Sequence, residues 1–331
     1  MRPVVAGIGN AIMDALVVVE DADRLVDELG LIRGTMHPVD HDQWTAAHDR
    51  VVDLGLTYES GGSCANTIAM LGRLGSAARY CGVVGNDALG RTYTERMTES
   101  CGGHALQPAE GNTGKCLSIV SREDAERTML TDLGISTTLT DLGDFVQVLD
   151  EARVAHFTGY TLLGDPMRTT VLNAMSRVRD AGNLVSLDVA DPMVVANTRA
   201  LLWETIDALA DIVFLNAEEA RALTERAPED AVTHIAKEAR VSTVVVKLGA
   251  RGSLVWQDGR VSTIDARRVR AIDTTGAGDA YAGGFLHGYC LGWSPDKAGA
   301  LGSAVAAEVV SQLGAIVRDN SKLHALLNEL A

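Results

Sequence analysis

Asp273-Thr274-Thr275-Gly276-Ala277-Gly278-Asp279 runs directly into Ala280-Tyr281-Ala282-Gly283-Gly284-Phe285, and this junction decides the reading of the chain. The small residues Gly276, Ala277 and Gly278 precede a helix-like segment, so their backbone N–H groups are free to converge on one point. A helix N-terminus with bare amides is an anion site. Asp279 falls in the first turn, where its carboxylate meets any group that approaches a phosphate held by those amides. The competing reading is a cap: an acid near a helix start is favoured by the macrodipole alone, and glycine turns before helices are common. Capping does not require two acids around T-T-G-A-G, nor Gly283, Gly284 and Gly288 in the helix that follows. Each of those glycines costs roughly 1 kcal/mol of helix propensity against alanine, which points to close packing or ligand approach.

Working outward, 331 residues allow one large α/β domain or two smaller ones, with a substantial core in either case. The composition is 47% hydrophobic but only 4% aromatic, and the net charge of -15 argues against nucleic-acid and anionic-membrane partners. Cys64, Cys81, Cys101, Cys116 and Cys290 are odd in number and show no C-x-x-C spacing. They read as reduced thiols of a cytoplasmic protein. Neither a signal peptide nor a membrane span is expected, because Asn10 and Asp14 interrupt the apolar start. No Cys/His cluster has the spacing of a transition-metal site.

Val4 to Gly9 reads as a buried strand and Asp14 to Glu20 as a second. Gly7-Ile8-Gly9 invites a dinucleotide-fold reading, but Ile12 stands at the third glycine position and an extended segment follows it. The region from about Leu31 to Leu54 carries no clear periodicity. Glu59-Ser60-Gly61-Gly62-Ser63-Cys64-Ala65-Asn66 leads into the apolar run Ile68-Ala69-Leu71-Leu74; the glycines permit close backbone approach to a ligand, and Asn66 both donates and accepts hydrogen bonds. A cap made by Ser63 is the alternative, although it leaves the glycines unexplained. Asp87-Ala88-Leu89-Gly90 opens a helix to about Cys101. Thr113 to Ser121 and Arg127 to Asp132 form a hairpin through the polar turn Arg122-Glu123-Asp124-Ala125-Glu126.

From Val154 the rhythm is regular, with Val154 to Phe157, Leu184 to Val189, Ile212 to Leu215 and Thr243 to Leu248 separated by helical segments. Such alternation predicts a mostly parallel central sheet with helices on both faces, whose ligands bind beyond the strand C-termini. Asn216 with Glu219 three residues on is a capping box. Lys247-Leu248-Gly249-Ala250-Arg251-Gly252 suits a nucleotide-facing loop, and a second hairpin turning at Asp258-Gly259 delivers the chain to Asp273. Ser294-Pro295-Asp296 then begins a long Ala-rich helix to about Gln312.

The Asp273–Asp279 stretch resembles the signature of the ribokinase family, the PfkB-type carbohydrate and nucleoside kinases, and similar stretches recur from Asp14 to Gly314. Gly9-Asn10-x-x-x-Asp14, Gly-Gly-Ser-Cys-Ala-Asn and Arg127 resemble its adenosine-kinase-like members. The resemblance implies one ribokinase-like α/β domain over 1–331 with a small β-sheet lid built from approximately 14–20, 33–40 and 113–133. It implies Asp279 as catalytic base beside an anion hole of Gly276, Ala277 and Gly278, with substrate held by Asp14, Gly62 and Asn66. Asn216, Lys247, Gly249 and Gly252 would line the nucleotide side. Glu219 would act in the Mg²⁺-phosphate network and Arg127 would reach the phosphates, although a solvated hairpin charge explains Arg127 equally well. Some family members place a monovalent cation, K⁺, beside Asp273 and Thr275, with carbonyls near Gly314. The expected activity is ATP-dependent phosphorylation of a primary hydroxyl on a small sugar or nucleoside by a monomer or homodimer. Within Phe157-Thr158-Gly159-Tyr160-Thr161-Leu162, Thr161 stands about where adenosine kinases carry a base-stacking aromatic, and Tyr160 either supplies that ring or packs. A free-sugar kinase, a non-catalytic ligand-binding protein of the same fold and a dehydrogenase are the competing readings.

Overall fold

The computed structural model describes residues 4–124 and 126–330. Ala125, in the expected hairpin turn, and the extreme ends of the expected 1–331 unit lie outside them. Among the described residues the chain forms strands β1 Val4–Ile8, β2 Ile12–Val19, β3 Met36–Pro38, β4 Thr57–Gly61, β5 Ala77–Gly85, β6 His104–Ala109, β7 Gly114–Ser121, β8 Arg127–Asp132, β9 Val154–Thr158, β10 Leu184–Asp188, β11 Ile212–Asn216, β12 Thr243–Lys247, β13 Ser253–Gln257 and β14 Arg260–Ile264. Nine of them build one sheet in the order β14-β13-β12-β11-β10-β9-β1-β5-β6. Strands β6 to β12 of that sheet run parallel, and β13 and β14 close the edge as an antiparallel hairpin. The runs of Val, Ile and Leu in β9 to β12 are buried because helices cover both faces.

These helices are α3 Ser63–Arg73, α4 Ala88–Cys101, α5 Phe145–Glu151, α6 Met167–Asp180, α7 Pro192–Leu209, α8 Ala217–Thr224, α9 Pro228–Glu238, α10 Ala277–Cys290 and α11 Pro295–Val310, with α12 Asn320–Leu330 at the end of the chain; α1 Ala22–Glu28 and α2 His41–Val51 belong elsewhere. Strand order reverses between β1, followed by β5 and β6, and β9, followed by β10 to β12. A crevice therefore opens beyond the C-terminal ends of β1 and β9.

The second sheet has the order β3-β8-β7-β2-β4. Its outer face is covered by α1 and α2, which close over Ala15, Val17, Leu117, Ile119 and Leu130 with Val26, Trp44, Ala47 and Val51. The stretch without clear periodicity thus contains β3 and α2. Strand β3 falls in the stretch 33–40 given to the small sheet, whereas strand β4 was not expected: it pairs antiparallel with β2, Asp14 opposite Glu59, and runs into Gly62. Chain crossings between the sheets touch where Gly62, at a φ of +92°, packs on the Asn10 carbonyl, which leaves no room for a side chain.

The helix glycines have the packing reason expected of them. At Gly283 a β-carbon would lie 2.9 Å from Met70 Cβ, and at Gly284 it would lie 2.9 Å from Gly302 Cα of α11. Gly288 similarly faces Trp293 and Ala298. Backbone-to-backbone contact of α10 with α11 on one side and α3 on the other fixes the angle at which α10 presents its N-terminus. No described helix is long and apolar enough to cross a membrane.

Substituting Gly284→Ala should therefore push α11 away and destabilise the fold by about 1–3 kcal/mol, the usual range for overpacking. An unchanged urea midpoint would show that the two helices do not need this approach.

Candidate active site

Gly276 takes a φ of +69° as the N-cap of α10, and its Cα packs against Ala315. This left-handed turn aims the start of α10 into the crevice. The Gly276 and Gly278 N–H groups make no hydrogen bond among the described residues, whereas Ala277 N–H donates a long bond to the Thr274 carbonyl at 3.3 Å. Asp279, in the first turn, is the meeting point of two helices. Ser63 Oγ donates to Asp279 Oδ1 at 2.6 Å, Asn66 Nδ2 donates to Oδ2 at 2.9 Å, and Thr67 Oγ1 donates to the Asp279 carbonyl at 3.2 Å. Burial lifts the Asp279 carboxyl above the ordinary range against the opposing pull of those hydrogen bonds.

The alternative of a Ser63 cap does not hold. Gly62 is the N-cap of α3 and no side chain caps that helix; the Ser63 hydroxyl is spent on Asp279. Asn66 is buried and its Oδ1 has no partner among the described residues. An orphan acceptor of this kind is expensive unless a ligand donor meets it.

Asp14, partly exposed on β2, lies against Gly61, where a side chain would collide with it. Burial pushes its carboxyl up to about 7; Arg127 works against this, while Asp279 and Asp273 add to it. Arg127 at the start of β8 is half-buried and makes no ion pair among the described residues, and its charge acts to lower the Asp14 carboxyl.

On the opposite wall, Lys247 at the end of β12 donates Nζ to Asp188 Oδ2 of β10 at 2.6 Å, and both side chains are largely buried. Nζ lies so near α10 that a β-carbon at Gly278 would stand 3.1 Å from it. Burial works to lower the Lys247 pKa, but the charges of Asp188 and Glu219 outweigh it and hold the ammonium above its usual range. Asp188 was missed from sequence; the available signal was an acid ending the otherwise apolar strand Leu184-Val185-Ser186-Leu187.

Asn216 and Glu219 form a complete capping box. Asn216 Oδ1 accepts from the N–H groups of Glu218 and Glu219, and Glu219 accepts from Asn216 N at 2.8 Å and Nδ2 at 2.5 Å. Burial pushes the Glu219 carboxyl upward, with Lys247 opposing. Gly249, at φ +59°, has open space before it, whereas Gly252 is required by the close Ile264 carbonyl of the adjoining hairpin. Asp273 is fully buried. Its Oδ1 accepts from Thr275 N at 2.8 Å and Thr275 Oγ1 at 2.5 Å, and its Oδ2 accepts from Gly314 N at 2.9 Å. Among the described residues no three His, Cys, Asp or Glu converge on a metal position.

Thr161 is buried and bonds the Thr158 carbonyl, so it does not face the crevice. Tyr160 beside it is half-buried: its ring packs against the core of the large sheet, its hydroxyl donates to Asp191 Oδ2 at 3.2 Å, and the charges of Asp279 and Glu219 reach it.

The pfkB family carbohydrate kinase model matches residues 40–322. An uncharacterized sugar kinase of Archaeoglobus fulgidus is 30% identical over 74% of this chain and 96% of its own. A fructokinase of Escherichia coli is 28% identical over 69% of this chain and 76% of its own. The crystal structure of adenosine kinase from Sinorhizobium meliloti superposes with a TM-score of 0.89, at 31% identity and over 100% of both chains.

A carboxyl raised from 3.8 to about 7 in the fold contributes stability that is fully present below pH 3.8 and is lost as pH rises through about 7. Asp14→Asn removes that loss, so it should stabilise the ligand-free protein at pH 8 relative to pH 5 by about 1–2 kcal/mol, a figure reduced for solvent access from the crevice. Urea unfolding at both pH values checks this. An identical pH dependence in variant and wild type would contradict the shift.

Proposed function

The chain belongs to the pfkB family of carbohydrate kinases, is an ATP-dependent carbohydrate or nucleoside kinase, and we propose that it phosphorylates the primary hydroxyl of a ribofuranoside, with adenosine or a related nucleoside as the acceptor class. The observation that carries this reading is the joint between α3 and α10, where Asn66 and the base candidate Asp279 are hydrogen-bonded to one another. A hydroxyl bound at Asn66 is thereby delivered to a proton acceptor.

In this reading Asp14, Gly62 and Asn66 hold the acceptor, and the unpartnered Asn66 Oδ1 takes a hydrogen bond from one of its hydroxyls. Asp279 accepts the proton of the attacking oxygen. Its modest basicity suffices, because in a loose phosphoryl-transfer transition state that proton leaves late. The free N–H groups of Gly276 and Gly278, with the weakly engaged Ala277 N–H, stabilise charge on the transferred group; one such donor contributes roughly 3–4 kcal/mol in well-studied enzymes. Lys247, bordering Gly278, adds a fixed positive charge, and Arg127 approaches from the smaller sheet. Asn216, Gly249 and Gly252 line the nucleotide wall, where Gly249 lies open and Gly252 serves its own hairpin. The smaller sheet acts as a lid that excludes water.

Three acids, Asp188, Glu219 and Asp279, act on the one Lys247 ammonium, and this excess of acid over base suits a divalent cation. Mg²⁺ bound with ATP would supply charge neutralisation of the phosphates, with Glu219 ordering its water ligands. Asp273 has no ion pair among the described residues although it is fully buried, which supports a K⁺ beside Asp273 and Thr275. A cytoplasmic location is part of the proposal, in keeping with five cysteines that are all unpaired and buried.

Tyr160 favours a nucleoside over a free sugar. Its hydroxyl is anchored by Asp191, so the ring stands as a fixed wall, and stacking of a base on an aromatic contributes on the order of 1–3 kcal/mol. The second reading, a free-sugar kinase, has its support in the fructokinase relatives. An ADP-release panel with Mg-ATP against adenosine, other nucleosides, ribose, fructose and 2-keto-3-deoxygluconate tests the choice. The nucleosides should give the highest kcat/KM; a free hexose or keto acid preferred by more than tenfold would overturn it.

A further inference from the structure

Glu59 lies on β4 directly across the ladder from Asp14 and three residues before Gly62, yet nothing in the phosphoryl-transfer chemistry requires it. Its carboxylate is only 14% exposed and is held by guanidinium groups from two parts of the molecule. Arg96 of α4 donates Nη1 to Oε2 at 3.0 Å, and Arg318 pairs with Oε1 through Nη2. Two acids opposite one another on a ladder repel. The arginines relieve that repulsion at Glu59 and leave Asp14 to the crevice.

Arg318 follows the turn that backs the α10 N-terminus. That turn contains Gly314, whose N–H donates to Asp273 Oδ2 at 2.9 Å, and Ala315, on which Gly276 packs. A β-carbon at Gly314 would stand 3.6 Å from Glu59 Cγ. Arg73, the last residue of α3, pins the same segment by donating to the Arg318 carbonyl at 3.3 Å and to Asn320 Oδ1 at 3.2 Å. One carboxylate therefore projects from the strand opposite Asp14 and pairs with Arg318, which follows the turn behind Gly276 to Gly278.

We propose that Glu59 is a positioning residue that couples the two substrate sites: acceptor binding at Asp14 sets β4, the Glu59–Arg318 pair transmits that setting to the turn behind the amide cradle, and each substrate binds more tightly in the presence of the other. This rests on the kinase reading of the crevice. Coupling of this kind is reciprocal, so either ligand reports it.

The test measures the Kd of the acceptor selected by the panel, with and without the non-hydrolysable β,γ-imido analogue of ATP and Mg²⁺. The proteins are wild type, Glu59→Gln, Arg318→Met and the double variant. In wild type the nucleotide should tighten acceptor binding about fivefold or more. Each single variant should reduce that factor to less than about twofold, the double variant should lose nothing further, and Arg318→Lys should restore part of it. A merely structural role would weaken both Kd values alike and leave their ratio intact, and that result would overturn the proposal. So would a wild type without coupling. Arg318 is 60% exposed, so Arg318→Met keeps the test available if Glu59→Gln does not fold. Phosphorylation of no acceptor by wild type would bring down the kinase reading and this inference together. Normal activity with unchanged coupling in the variants would bring down the inference alone.

Discussion

The hydrogen bonds from Ser63 and Asn66 to the two carboxylate oxygens of Asp279 join the N-termini of α3 and α10, and the rest of the molecule is arranged to hold that joint. Neither helix could reach it with ordinary side chains at their contact surfaces. Gly283 lets α10 close on Met70 of α3, and Gly284 lets it close on the backbone of α11. Gly62 and Gly276 supply the left-handed turns that enter each helix. Glycine's conformational cost at these positions is offset by the packing it permits and by two amide-bearing helix ends aimed at one place.

Charge is the second constraint. Asp188, Glu219, Asp279 and Asp14 gather around a crevice whose innermost cation is Lys247. Breaking the buried Lys247–Asp188 pair would leave an uncompensated charge, so the pair is fixed by what its removal would cost rather than by its net contribution. The remaining carboxyls are raised because burial outweighs the hydrogen bonds and charges that partner them. Such strain is characteristic of a site that tolerates lower stability for the sake of its ligands.

Much of this was legible in the sequence, for reasons that can be named. Short apolar runs spaced by helices gave β9 to β12, and the polar turn at residues 122–126 gave the β7–β8 pair. Asp279 and Asn66 each stood in a glycine-led helix start, so both were found separately; that they bond each other is a tertiary fact no local pattern carries. A cap by Ser63 was the local alternative, and the long-range bond to Asp279 takes its hydroxyl instead. Strand β4 was hidden because its glycine-rich end was read for ligand approach. Helix α2 was overlooked although Asp40 and Gln43 form a capping box and Trp44, Ala47 and Val51 share its buried face. Strand β3 falls within the stretch 33–40 that the family resemblance implied, although its three residues are too few for periodicity to show. Asp188 acquires meaning only when β10 and β12 are placed with β11 between them.

The account's central claim is that Asp279 is the proton acceptor for a hydroxyl held beside it. Asp279→Asn keeps the shape of the side chain and removes the acceptor, so single-turnover phosphorylation of the best acceptor, measured beside that acceptor's Kd, tests the claim most directly. The account predicts a rate lower by about 10²- to 10⁴-fold with acceptor binding retained. Turnover near the wild-type rate would contradict it and reduce Asp279 to a helix-joining residue.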